Sequence, residues 1–150
     1  MQPSIQFNQI DVARISRRFQ KLANSANGFA EPLRDGAELV VKESTRNFDT
    51  EGFLYGSAWT PLSQSTRRQR ASRGYNPSRP ILYRTGELKR GTRIGLVTNK
   101  EAVIENPVGY AKYHQFGTVN MPKRKVLGFS KNVIKAVGLV FANYIKKNMK

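Results

Sequence analysis

Apolar side chains along this chain recur at two periods, and the change from one to the other marks out its elements. Val12, Ile15, Phe19 and Leu22 follow at spacings of three and four, the stripe of an amphipathic helix. Asn8 is placed to cap it, and Asp11 falls in the first turn, where negative charge suits the dipole. The turn formers from Asn24 to Gly28 end it. Leu33, Ala37, Val40, Val41, Ser44 and Phe48 predict a second helix, closed near Gly52. Pro32 suits its first position, because the missing N–H there has no intrahelical partner to lose. Gly36 inside this stripe weakens the helix by about 1 kcal/mol relative to Ala. A third stripe, Val133, Ile134, Val137, Phe141, Tyr144 and Ile145, predicts a C-terminal helix capped by Ser130. Lys146, Lys147 and Lys150 fall in its last turn, where positive charge is favourable.

Between the second and third stripes the period changes. Residues 92–97 and 102–106 predict two strands joined through Thr98, Asn99 and Lys100 as a hairpin. Residues 109–117 are short and aromatic, enough for one or two helical turns, and 123–127 could add an edge strand. Residues 52–90, punctuated by Gly52, Gly56, Pro61, Gly74, Pro77, Pro80 and Gly86, read as mostly irregular. Within them Ser63 caps a short basic helix over 63–72. A connection of that length is expected to be functional or disordered, not a passive link. The fold expected is a single α+β domain over residues 1–150, with three main helices packed on a small antiparallel sheet and a long basic loop. There is no internal repeat.

Composition adds the partner class. The 150 residues hold 26 Lys+Arg against 10 Asp+Glu, a net charge of +16, and 39% hydrophobic residues, enough for a core. Residues 1–60 balance seven bases against seven acids, whereas residues 61–100 net +9 and residues 101–150 net +7. Such asymmetry points the second half toward a polyanion or an acidic protein face. Without cysteine there is no disulfide framework, thiolate metal site or thiol nucleophile, and a single histidine excludes polyhistidine metal centres. Met1 to Ile5 lack the basic stretch leading into an apolar run that a secretory signal has, and no apolar run is long enough to span a membrane.

The loudest local signal is Arg67, Arg68 and Arg70, with Arg73, Arg79 and Arg84, interleaved with Tyr75 and Tyr83. Guanidinium forks match carboxylate and phosphate, so the run reads as a contact surface for nucleic acid or an acidic protein groove, against a plain solvated charge run. His114 lies between Tyr113 and Gln115 with no nucleophile elbow or orienting acid nearby, and reads as structural. Glu101 and Glu105, four apart, share a strand face and could hold a nuclease metal, but no third carboxylate follows and pairing with arginine is the better reading. The glycines form no nucleotide-binding pattern. Trp59, the single tryptophan, either closes the core or anchors a partner.

Four segments together resemble one family. They are Trp59-Thr60-Pro61-Leu62-Ser63 with Thr66 and Arg67; Ile81-Leu82-Tyr83-Arg84-Thr85-Gly86-Glu87-Leu88-Lys89-Arg90; Tyr110-Ala111-Lys112-Tyr113-His114-Gln115-Phe116-Gly117; and Met121-Pro122-Lys123-Arg124-Lys125-Val126-Leu127-Gly128. In that order and spacing they resemble the phage virion morphogenesis, or tail completion, proteins of Mu-like phages, across residues 48–130. Gly91, where Ser is usual, and Lys125-Val126, where Pro and an aromatic are usual, depart from the pattern. The resemblance implies a non-enzymatic structural protein of the virion neck or tail end, assembled in the host bacterial cytoplasm. It implies no cofactor and no membrane partner. Its partners would be other neck or tail proteins and copies of itself in a ring, taken as a hexamer, with nonspecific contact to phage DNA. The assembly contacts expected are Trp59, Arg67, Arg68, Arg70, Arg73, Arg84, Tyr110, Tyr113, His114 and Phe116. The alternative is a sequence-nonspecific nucleic-acid-binding protein using the same arginines.

Overall fold

The computed structural model of the chain describes residues 16–21, 24, 28–77 and 80–148. Residues 16–21 are helical, and Phe19 on that turn is exposed. Asn8, Asp11, Val12, Ile15, Leu22, Arg79 and Lys150, which carried expectations above, lie outside the described residues.

Helix α1, Ala30–Asp49, is the second predicted helix. It opens two residues before Pro32, which therefore occupies the third position and not the first. The proline is tolerated there because N–H groups throughout the first turn lack intrahelical acceptors. Its buried stripe includes Ala37, Val40, Ser44 and Phe48. The chain leaves α1 through Gly52, whose N–H donates to the Asn47 carbonyl at 2.9 Å. Gly52 stands at φ +97°, and a Cβ there would lie 2.5 Å from Cδ1 of Trp59. Only glycine lets tryptophan close over this turn.

The segment after Gly52 carries more structure than its glycines and prolines predict. A 3-10 turn over Phe53–Tyr55 leads to helix α2, Gln64–Ser72, whose Thr66 N–H donates to the capping hydroxyl of Ser63 at 3.2 Å. A single turn, α3, follows at Glu87–Arg90. The segment is also pinned at both ends by one residue: the Glu51 carbonyl accepts from Trp59 N–H at 2.7 Å, and its carboxylate accepts from Ile81 N–H at 2.9 Å. Trp59, Ile81, Leu82 and Leu88 are buried and join Phe48, Ala111 and Val126 in one core cluster. The stretch expected as mostly irregular thus supplies four of the seven buried residues of that cluster, although its scattered apolar residues have no periodicity to announce them.

Strands β1, Arg93–Val97, and β2, Ala102–Glu105, form the expected antiparallel hairpin, with Ile94 opposite Ile104 and an irregularity before Val97. The short helix α4, Ala111–Phe116, ends at Gly117. Residues 123–127 form no strand. Side chains take the place of ladder partners: Ser44 donates to the Val126 carbonyl, and Asn47 and Trp59 Nε1 both donate to the Lys125 carbonyl. Gln115 Oε1 accepts from Val126 and Leu127 N–H at 2.8 and 2.9 Å, and its Nε2 donates to the Leu127 carbonyl. The expected edge strand is instead a strap across the core.

Helix α5, Lys131–Asn148, begins at Ser130, whose hydroxyl accepts from Val133 N–H at 3.1 Å and donates to Glu43 of α1. The two long helices pack through Phe29, Phe141 and Tyr144, and the Tyr144 hydroxyl donates to the Gly28 carbonyl at 2.9 Å. The result is α+β, with helices gathered around a two-stranded sheet.

Candidate functional site

A cleft of about 660 Å³ opens between α2, the turn before α3, α4 and the start of the strap. Each wall is fixed by something already described. Ser63 caps the helix that presents Arg70; Leu82, at φ +61°, turns Arg84 toward the opening. Helix α4 offers Tyr110, Tyr113 and His114 from one side, and Met121 and Arg124 come from the strap.

The charged groups here are all of one sign. Arg70, Arg84 and Arg124 line the cleft with His114, and no Asp or Glu does. Glu87, which accepts from the Tyr110 hydroxyl at 3.1 Å, is the acid nearest to hand. Arg70 is only 9% exposed and Arg124 only 5%. Arg124 has carbonyl partners, donating from Nε to Thr60 at 2.9 Å and from Nη2 to Pro61 at 3.2 Å. Arg70 Nη1 and His114 Nδ1 are buried with no hydrogen-bond partner. Arg84 is exposed and sits 5.5 Å over the Tyr75 ring.

Burial and mutual repulsion both act on these groups. Desolvation, then the Arg84 charge, lowers the pKa of Arg70; desolvation, then Arg70, lowers that of Arg124. His114 is held below its ordinary value by burial and then by Arg124. A deprotonated guanidine is out of reach at neutral pH, so these arginines stay charged and uncompensated.

The predicted contact residues divide into three groups. Arg70, Arg84, Tyr110, Tyr113 and His114 meet in the cleft. Arg67, Arg68 and Arg73 are exposed on and beside α2, away from its walls, and Phe116, 76% exposed, projects from the end of α4. Trp59 is 5% exposed and packs edge-to-face on Phe48 at 5.2 Å, so in this chain it closes the core and is not a surface anchor. Arg70 is buried, unlike its neighbours Arg67 and Arg68. Arg124 was missing from the expected contacts; the signal was the alternation in Lys123-Arg124-Lys125-Val126, whose even members are buried and odd members exposed.

Chemically the cleft offers cations without carboxylates. His114 has no carboxylate to orient it, and its ring rests edge-on against Tyr110 at 6.0 Å. Glu105 pairs with Arg93 at 2.9 Å, and Glu101 is exposed at the hairpin turn. Among the described residues no group of three His, Cys, Asp or Glu could hold a metal ion, and no helix is long and apolar enough to cross a membrane.

Comparison with known proteins bears on all but the ends of the chain. The sequence profile of the phage virion morphogenesis family matches residues 10–146. The Mu-like prophage FluMu G protein 1 of Haemophilus influenzae is similar, 26% identical over 129 residues that cover 86% of this chain and 87% of that protein. No solved structure matches.

Proposed function

The chain belongs to the phage virion morphogenesis family, and from that premise we propose that it completes the phage tail or joins it to the head, as a ring of identical subunits around the DNA path. The coarser role, a structural protein of virion morphogenesis working with other phage structural proteins, comes with the family. One observation supports the finer reading: positive charge without counter-charge is gathered at and beside one cleft, next to the exposed aromatic side chains of α4. Such a surface is complementary to an acidic partner and steers its approach. Neighbouring subunits of a ring meet through two different patches, so a basic face on one meets a different face of the next. The role we propose is structural, as the family suggests, with no reaction of its own.

The test is complementation of a phage lacking the protein with Arg67→Gln/Arg68→Gln/Arg73→Gln, changes confined to exposed positions. Negative-stain micrographs should then show separate heads and unfinished tails; wild-type numbers of joined particles would refute the joining role. Class averages of the purified wild-type protein should show rings, and a strictly monomeric protein would refute the ring. The exposed arginines also favour a second reading, nonspecific DNA binding. Its signature is affinity for arbitrary duplex that falls by about one log unit per log unit of salt for each phosphate neutralised.

A further inference from the structure

We propose that the cleft is a receptor for an acidic side chain, carried on an extended, partly apolar segment of a neighbouring protein. The inference rests on the reading of this chain as one that joins other virion proteins, and it names the chemistry of the joint.

Three features carry it. The first is an unmet demand. Arg70 is nine-tenths buried, with Nη1 unpartnered, in a cleft shared with two more arginines and no carboxylate. A buried cation without a partner is strongly unfavourable in the free protein, and a bidentate carboxylate is the group whose geometry meets a guanidinium fork. The second is the apolar part of the wall: Leu62, Leu82, Leu88, Met121 and the rings of Tyr110 and Tyr113 share the lining with the cations and with neutral polar side chains such as Gln69 and Asn120. Apolar walls around a few fixed polar groups are the pattern of a site that buries its ligand. The third is shape. About 660 Å³ admits a few side chains of an extended peptide, whereas the phosphates of a duplex stay on the outside of a wide rod and would meet only the exposed Arg67, Arg68 and Arg73. His114 adds a second buried polar atom without a partner, Nδ1, on the same cleft. The exposed arginines thus attract, and the buried, unpartnered Arg70 recognises.

The site also accounts for a penalty in the free protein. Replacing Arg70 with Gln removes an uncompensated buried charge, so the unliganded variant should melt higher, by about 2–4 °C for each kcal/mol relieved. A side chain with a purely structural role would shift the melting temperature the other way.

The experiment uses the full chain and a blocked pentapeptide with a central glutamate between leucines, compared with its glutamine counterpart, inorganic phosphate and a short random duplex. Binding is followed through the arginine Nε–H signals. The glutamate peptide should bind saturably, about tenfold or more tighter than the glutamine peptide. Arg84→Gln, at an exposed position that leaves folding intact, and Arg70→Gln should each weaken it by about tenfold to a hundredfold. Equal binding of the two peptides, no saturable shift with either, or shifts of Arg70 and Arg84 with duplex or phosphate alone would each overturn the site. So would a lower melting temperature for Arg70→Gln. Failure here leaves the joining role standing if the exposed-arginine variant still blocks assembly; intact peptide binding with normal assembly of that variant sinks the joining role instead.

Discussion

Two hollows of the molecule make opposite demands on whatever fills them. One, of about 290 Å³, lies between α1, α5 and β2 and is walled by Leu33, Val40, Ile104, Phe129, Val137 and Phe141. The other is the cleft of about 660 Å³ with its three arginines. An apolar wall gains from any close contact, because dispersion and water release are not directional. A wall that presents unpaired N–H groups gains only from acceptors at particular places. The difference separates stability from recognition: residues that hold the fold together can be told from residues held at a loss. Losses of that kind are common where a protein keeps a site ready.

The largest effect should come from the core cluster that Trp59 joins, whose Leu82 and Leu88 back the cleft. Trp59→Ala removes the ring packed on Phe48 and the donor to Lys125, and is expected to cost about 3–5 kcal/mol. Urea unfolding measures it; a cost below about 1 kcal/mol, with assembly lost, would return Trp59 to the surface. Gln115→Ala comes next, since it strands the N–H groups of Val126 and Leu127, at about 3 kcal/mol. Hydrogen exchange at those two amides should accelerate more than elsewhere, and uniform acceleration would mean that the strap is not a local unit.

His114 tests the cleft itself. Its folded-state pKa is lowered by burial and by Arg124, while the unfolded chain titrates near about 6.5. Above that pH the ring is neutral in both states. As pH falls through about 6.5, the unfolded state takes up a proton that the folded state resists, so stability declines until the folded pKa is reached. His114→Asn should flatten the decline in unfolding free energy between about pH 7.5 and 5.5; an unchanged slope would show that the ring is not held neutral. The smallest effect belongs to the exposed cations. Arg67→Gln/Arg68→Gln/Arg73→Gln should leave stability within about 0.5 kcal/mol at each site, and a large change in thermal melting would place them in the fold and not on its contact surface.

What could be read in advance follows from range. The long helices, the caps at Ser63 and Ser130 and the hairpin are encoded by residues within a few positions of one another, and these were expected correctly to within two or three residues at their ends. The strap was misread as a strand because its partners are distant: Ser44 lies 82 positions from Val126, and Asn47 78 from Lys125. Charge counting located the basic half but treated its arginines as equivalent. Nothing local to the run Arg67 to Arg70 says that the fourth position turns inward; that is decided by where α2 settles over Leu82 and the strap. Tyr113 and His114, with Tyr110 at the N-cap, meet at the cleft because one short helix carries them, a grouping that neighbours in sequence make legible.

The strap has a consequence for variation. Its main chain is gripped at Lys125, Val126 and Leu127 by side chains belonging to other parts of the protein. Lys123 and Lys125, by contrast, are exposed, although the Lys125 ammonium lies 5.6 Å over the Tyr55 ring and, of the two, only Lys123 lacks such a contact among the described residues. The path of the segment is therefore written by its neighbours, and its exposed residues are free to be rewritten. A phage lineage can retune what those positions meet on a changing partner while the scaffold beneath keeps its shape.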